Sequence, residues 1–206
     1  MGWLGEGPLY FETAAMPSPA NLRDRLATGT TRNLGCANEV AREALHKPAL
    51  VEQLVDALND EHTVVAHRAA NALKKVQHNK PELLVPFTKR ILQHTLATEH
   101  MHTRWSLTII LGELPLCGRD KALAVDLMFE ALSSRSALQR TFALQALTNF
   151  AQNDAALRIR VQPVLQRALT DSSAAIRARA RKLMKVLAAK EPSPLPRARH
   201  YHNQGP

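Results

Sequence analysis

Several residue types are scarce, and each shortage excludes something. There are two cysteines, Cys36 and Cys117, with no spacing that supports a disulfide or a metal pair. Each reads as a reduced, buried thiol in a helical region. Aromatic residues make up only 4% of the chain, which leaves little material for a β-sandwich. No apolar run approaches the roughly 18 residues of a membrane span. Gly-rich phosphate loops, Cys-x-x-Cys pairs and G-x-S-x-G elbows are all missing. The opening MGWLGEGPLYFETAAM has neither a basic n-region nor an apolar h-region, and Glu6 stands where a myristoylation motif needs Ser or Thr. Without an export signal, the expected location is the cytoplasm.

Alanine and leucine are abundant, apolar residues reach 45% and charged residues 22%, a globular balance suited to closely packed helices. The net charge of +9 is unevenly spread. Residues 1–154 hold 16 basic and 16 acidic side chains, which cancel. Residues 155–190 hold nine basic residues against Asp171 alone. The chain is a neutral body with one strongly basic end.

The clearest pattern is Ala174–Leu187, AAIRARARKLMKVL. Ile176, Ala180, Leu183, Met184 and Leu187 fall on one helical face, and Arg177, Arg181 and Lys185 on another. The same frame recurs at Gln139–Phe150, Thr103–Leu114 and Ala66–Gln77. The matched residues His67, Arg104, Arg140 and Arg177 are 37, 36 and 37 apart. A period of this length with two helical segments per unit predicts a helical array.

A short helix over Asn21–Ala27 and a longer one opened by Asn33 or Gly35 and ending before Pro48 form a degenerate first unit. The next unit starts at Pro48, buries Leu50, Leu54, Val55 and Leu58, and turns at Asn59–His62. The second uses Pro81 in the same way and carries Trp105, read as core, in its second helix. The third is expected to start at Asp120 as N-cap and to bury Leu123, Leu127, Met128, Leu132 and then Leu138 and Phe142. The fourth starts near Asp154, kinks or restarts at Pro163, turns at Asp171–Ser173 and ends near Ala189. Residues 1–19 and the Pro-rich basic stretch 191–206 show no periodicity and are expected to be disordered, leaving a repeat domain over 20–190. Met16, followed by PSPANLRDRL, reads as a start, so residues 1–15 are expected to be an upstream extension.

In Leu169-x-Asp171…Ile176-Arg177…Ala180…Leu183 and Leu58-x-Asp60…Val65…Ala70…Leu73, the chain resembles HEAT-like (armadillo-type) repeats over roughly 37–189. The middle two units lack the turn Asp and match only through their second helices. The resemblance implies an all-α solenoid of about four HEAT-like helix pairs with a degenerate N-terminal cap. It implies little about activity.

The ladder His67, Arg104, Arg140, Arg177 reads either as a cationic stripe for an acidic ligand or as a set of arginines bonding their own turns. The last unit, with Arg177, Arg179, Arg181, Lys182 and Lys185, is a candidate binding face because its self-repulsion goes uncompensated unless a partner supplies negative charge. Glu61–His62 and Glu99–His100, near His67 and His102, raise a metal reading. HEAT-like hydroxylases, however, use repeated His-Glu pairs on helices, whereas here the order is reversed and Arg68 follows His67. Comparison with HEAT-like DNA-alkylation glycosylases implies a Trp followed one turn later by a carboxylate. Trp105 is followed by Ile109, so that chemistry has no carrier. No catalytic residue, metal or cofactor is expected. The leading expectation is a non-enzymatic scaffold that docks an acidic protein partner on its inner and C-terminal faces. The alternative is sequence-tolerant nucleic-acid binding by the basic last repeat through phosphate contacts, with a glycosylase third.

Overall fold

The computed structural model describes residues 21–28 and 35–189, and every described element is helical. The expectations for 1–19, 191–206 and the upstream extension lie outside the described residues. Ten α-helices follow in order: α1 (Leu22–Ala27), α2 (Ala37–Ala44), α3 (Pro48–Asp56), α4 (Thr63–Asn79), α5 (Thr88–Ala97), α6 (Met101–Leu111), α7 (Gly118–Ala131), α8 (Ala137–Ala151), α9 (Ala155–Ala168) and α10 (Ala174–Ala189). Helix α2 packs on α4, α4 on α6, α6 on α8 and α8 on α10, forming one layer. Helices α3, α5, α7 and α9 each lie against the helix that follows them, forming the other layer. This is an all-α solenoid of four helix pairs, with α1 and α2 closing its N-terminal end.

Small residues set how closely the inner layer packs. Ala37, Ala41 and Ala44 of α2 and Ala66, Ala69, Ala70 and Ala72 of α4 are all buried, and the two helices pack together. Between α6 and α8 the approach is closer still. A Cβ built on Gly112 would lie 2.7 Å from Ala146 Cβ, so only glycine fits there without a shift. Leu107, Ile110, Leu111, Leu144 and Leu147 continue the seam, and Ile176, Leu183 and Leu187 end it.

Several local expectations are corrected. Asp120 lies in the first turn of α7 rather than capping it; the helix starts at Gly118 after Cys117. Pro81 opens a 3₁₀ stretch, Pro81–Phe87, because Pro86 would interrupt an α-helix there. Pro163 sits inside α9 without breaking it: the bond it forgoes would go to Ile159, which is 72% exposed and can use water. Leu123 and Leu138, expected in the core, are 39% and 42% exposed. Their faces point away from the seam that Ala124, Met128 and Ala143 enter. Cys117 is exposed and Cys36 half-buried, and both are free thiols rather than buried ones.

Candidate interaction surfaces

The helix starts define the frame in which the arginine ladder belongs. The carbonyls of His62, His100, Ser136 and Ser173 accept the backbone N–H groups of Ala66, Arg104, Arg140 and Arg177. The first rung is therefore Ala66, not His67. His67 lies one position further on and corresponds to Trp105, because the first two starts are one residue further apart than the ladder spacing assumed.

Each remaining arginine reaches back six residues to its own turn. Arg104 donates from Nε to the Thr98 carbonyl at 3.0 Å, Arg140 from Nη1 to Ser134 at 2.9 Å, and Arg177 from Nη1 to Asp171 at 2.7 Å. Buried Arg158 repeats the device at the start of α9, donating to the Gln152 carbonyl at 2.8 Å. These carbonyls sit where a helix entry leaves them without a ladder partner, and a fixed charged donor satisfies them well. In the first unit, where Ala66 has no such donor, Arg23 of α1 supplies the cation. Its Nε lies 2.6 Å from Asp60 Oδ2, and that contact holds the Asp60 carboxyl below its usual range.

A second element of the turn was not legible in the middle units. The backbone N–H of His62 donates to Asp60 Oδ1 and that of Ser173 to Asp171 Oδ1, both at 2.8 Å. At the same place His100 N–H donates to Thr98 Oγ1 at 3.3 Å and Ser136 N–H to Ser134 Oγ at 3.1 Å. The motif is an acceptor oxygen two residues before the helix start, and a hydroxyl serves as a neutral substitute for the carboxylate.

Further bonds tie successive units together. Asn149 Nδ2 donates to the Gly112 carbonyl at 3.0 Å, Lys121 Nζ lies 2.6 Å from Asp154, and Arg179 Nη1 donates to Gln145 Oε1 at 2.8 Å. Arg179 is thereby held against α8, with Arg104, Arg140 and Arg177 lining the edge formed by the turns.

What remains of the basic cluster is Arg181, Lys182 and Lys185, all exposed and without an ion-pair partner among the described residues. Their place in the frame explains why. Arg181 corresponds to Ala70, Thr108 and Leu144, each of them buried, Thr108 beneath Gln139 of the next unit, and no unit follows α10 among the described residues. The corresponding face of α10 is cationic. The face is not uniformly polar. Leu169, Ala178 and Met184 line a shallow depression of about 440 Å³ together with Arg181, Lys182 and Lys185.

On α4, burial and the neighbouring His102, Lys74 and Arg68 push the His67 imidazole below its ordinary value. Its Nδ1 is buried without a partner, and its ring meets His102 at 5.4 Å, which in turn meets Trp105 at 4.8 Å. Trp105 is half-buried rather than core. Among the described residues no three His, Cys, Asp or Glu side chains come together as a metal set. None of the described helices is long and apolar enough to cross a membrane.

A family model described as a HEAT repeat domain matches residues 22–185, which spans both helix layers from α1 into α10. No curated protein matches the chain.

Proposed function

The chain belongs to the HEAT repeat domain family, and from that premise we propose that it is a non-catalytic adaptor docking an acidic protein partner through its inner layer and the free end of α10. Proteins of this repeat class are generally non-enzymatic helical scaffolds that engage other proteins. The observation that carries the finer reading is the depression on α10, lined by the apolar Leu169, Ala178 and Met184 and by three cations with no ion-pair partner among the described residues. An acidic segment with one apolar side chain satisfies both parts, the anchor meeting the apolar lining and its carboxylates the cations. A phosphate backbone would use the cations and leave the apolar lining unused, which is why protein is favoured over nucleic acid. The arginines at the turns contribute positive potential along one edge, although their hydrogen bonds are spent within the fold.

A salt titration against a random duplex and a random single strand tests the choice of partner class. The expected outcome is no saturable binding at physiological salt. Saturable binding that weakens steeply with salt and disappears on R181E/K182E/K185E would replace the adaptor reading with the nucleic-acid one.

A further inference from the structure

The units differ at one place where the repeat would make them alike. Between the second and third units, α6, the end of α7 and the start of α8 enclose a cleft of about 380 Å³; its counterpart one repeat later is about 200 Å³. In the later cleft Arg140 crosses to Asp171 at 3.3 Å and Ile176 fills the interior. In the earlier one Ser134 stands in place of Asp171, and Arg104 bonds only the Thr98 carbonyl of its own turn, as Arg140 bonds Ser134, without the added crossing to a carboxylate. Gln139 stands where Ile176 stands, and Glu130 where Arg167 stands. The earlier cleft is the larger, and Glu130 in place of Arg167 reverses the charge of one lining residue.

The polar atoms inside are incompletely used. Gln139 is 6% exposed, donates from Nε2 to Thr108 Oγ1 at 3.3 Å, and its Oε1 is buried without a partner. The Trp105 indole N–H is likewise buried and unpaired. At the rim, Glu99 and Glu130 have no ion-pair partner among the described residues. The opposing cation, Arg104, spends Nε and Nη2 on the Thr98 carbonyl. Two free carboxylates, a buried acceptor and an apolar wall call for a ligand rich in donors, positively charged and carried on a methylene stem.

We propose that this cleft is a binding site for an arginine side chain presented by a partner protein. The planar guanidinium offers five donors, enough to meet Gln139 Oε1 and the Glu99 and Glu130 carboxylates together, while its stem lies along Met101 and Met128. Lysine presents a compact, strongly hydrated charge and matches the separated acceptors less well. A peptide also brings backbone carbonyls, the acceptor that the Trp105 N–H lacks. The acidic rim disfavours a nucleic-acid strand. The site lies two turns of the repeat away from the end face of α10, goes beyond the docking reading given for that face, and stands or falls separately from it.

The test uses the full chain carrying W3F, which leaves Trp105 as the one tryptophan. Acetyl-Gly-Arg-Gly-amide is titrated against the isosteric, neutral citrulline peptide, with Trp105 emission and the NMR signals of the Trp105 indole N–H and the Gln139 amide as readouts. The expected result is a saturable response to the arginine peptide, at least about tenfold weaker for citrulline. It should be lost in E99Q/E130Q, whose substituted side chains are exposed and leave the helical signal intact. Q139I, which copies the later repeat, should abolish it as well. Equal responses to the two peptides, a response unchanged in E99Q/E130Q, or silence at millimolar arginine peptide would overturn the proposal. None of these outcomes bears on R181E/K182E/K185E, whose behaviour reports on α10 alone.

Discussion

Asp171 Oδ1 accepts the Ser173 backbone N–H at 2.8 Å and lies 3.3 Å from Arg140 Nη2 of the preceding unit. One carboxylate thus shapes its own turn and holds the neighbouring repeat, while the Asp171 carbonyl takes Arg177. The Ser173 bond, then the Arg140 charge, keeps its carboxyl below the usual range. Both side chains of the ion pair are less than a quarter exposed, so the contact is better sheltered than a surface pair.

Replacing Asp171 by Ala is expected to cost about 1–2 kcal/mol of stability, since a capping bond and an ion pair are lost together. T98A and S134A remove a neutral acceptor only and should cost about 0.5–1 kcal/mol each. Urea unfolding of the three variants checks the order. In a double-mutant cycle, R140A and D171A should be less than additive, because they share one contact.

Gly112→Ala places a methyl 2.7 Å from Ala146 Cβ and 2.9 Å from Ala146 Cα, where backbone must move. The expected loss is about 1–3 kcal/mol from overpacking. G112A/A146G should recover part of it. Gly118→Ala meets nothing within 4 Å, and its cost comes only from a φ of +52°, about 1 kcal/mol. Thermal melts of the three variants distinguish packing from backbone strain.

Stability should fall as the pH is lowered, in two stages. His67 and His94 are held below their ordinary values, mainly by burial. Asp60, Asp154 and Glu43 are held low mainly by Arg23, Lys121 and Arg25, and Asp171 mainly by the Ser173 N–H. In every case the folded protein binds fewer protons than the unfolded chain, so stability rises with pH. The histidine contribution is complete above about pH 6.5 and the carboxylate contribution above about pH 4; each is lost as the pH falls through the lower folded value. Denaturation midpoints between these regions should show two separate declines, and H67F/H94F should remove the first.

The period was legible because α4, α6, α8 and α10 repeat an apolar spacing dictated by the layer they share. The turns were only half legible. Asp60 and Asp171 stand out as acidic residues, whereas Thr98 and Ser134 perform the same backbone capping with hydroxyls that resemble any polar surface residue. His67 was misplaced by one position because residue spacing cannot show where a helix begins. Leu123 and Leu138 were misplaced because apolar periodicity does not show which layer a helix faces. The cleft beside Trp105 was not legible at all, since its lining residues Glu130, Ser134 and Gln139 lie on separate elements that only the fold brings together.

The most direct measurement is made on R181E/K182E/K185E, comparing its melting temperature and its nuclease-treated co-purification from native cells with those of the unaltered chain. The expected result is an unchanged melt and loss of a salt-sensitive, acidic protein partner, because these three exposed side chains have no ion-pair partner among the described residues. An unaltered set of partners in the variant would contradict the adaptor reading, and so would retained material that disappears with nuclease.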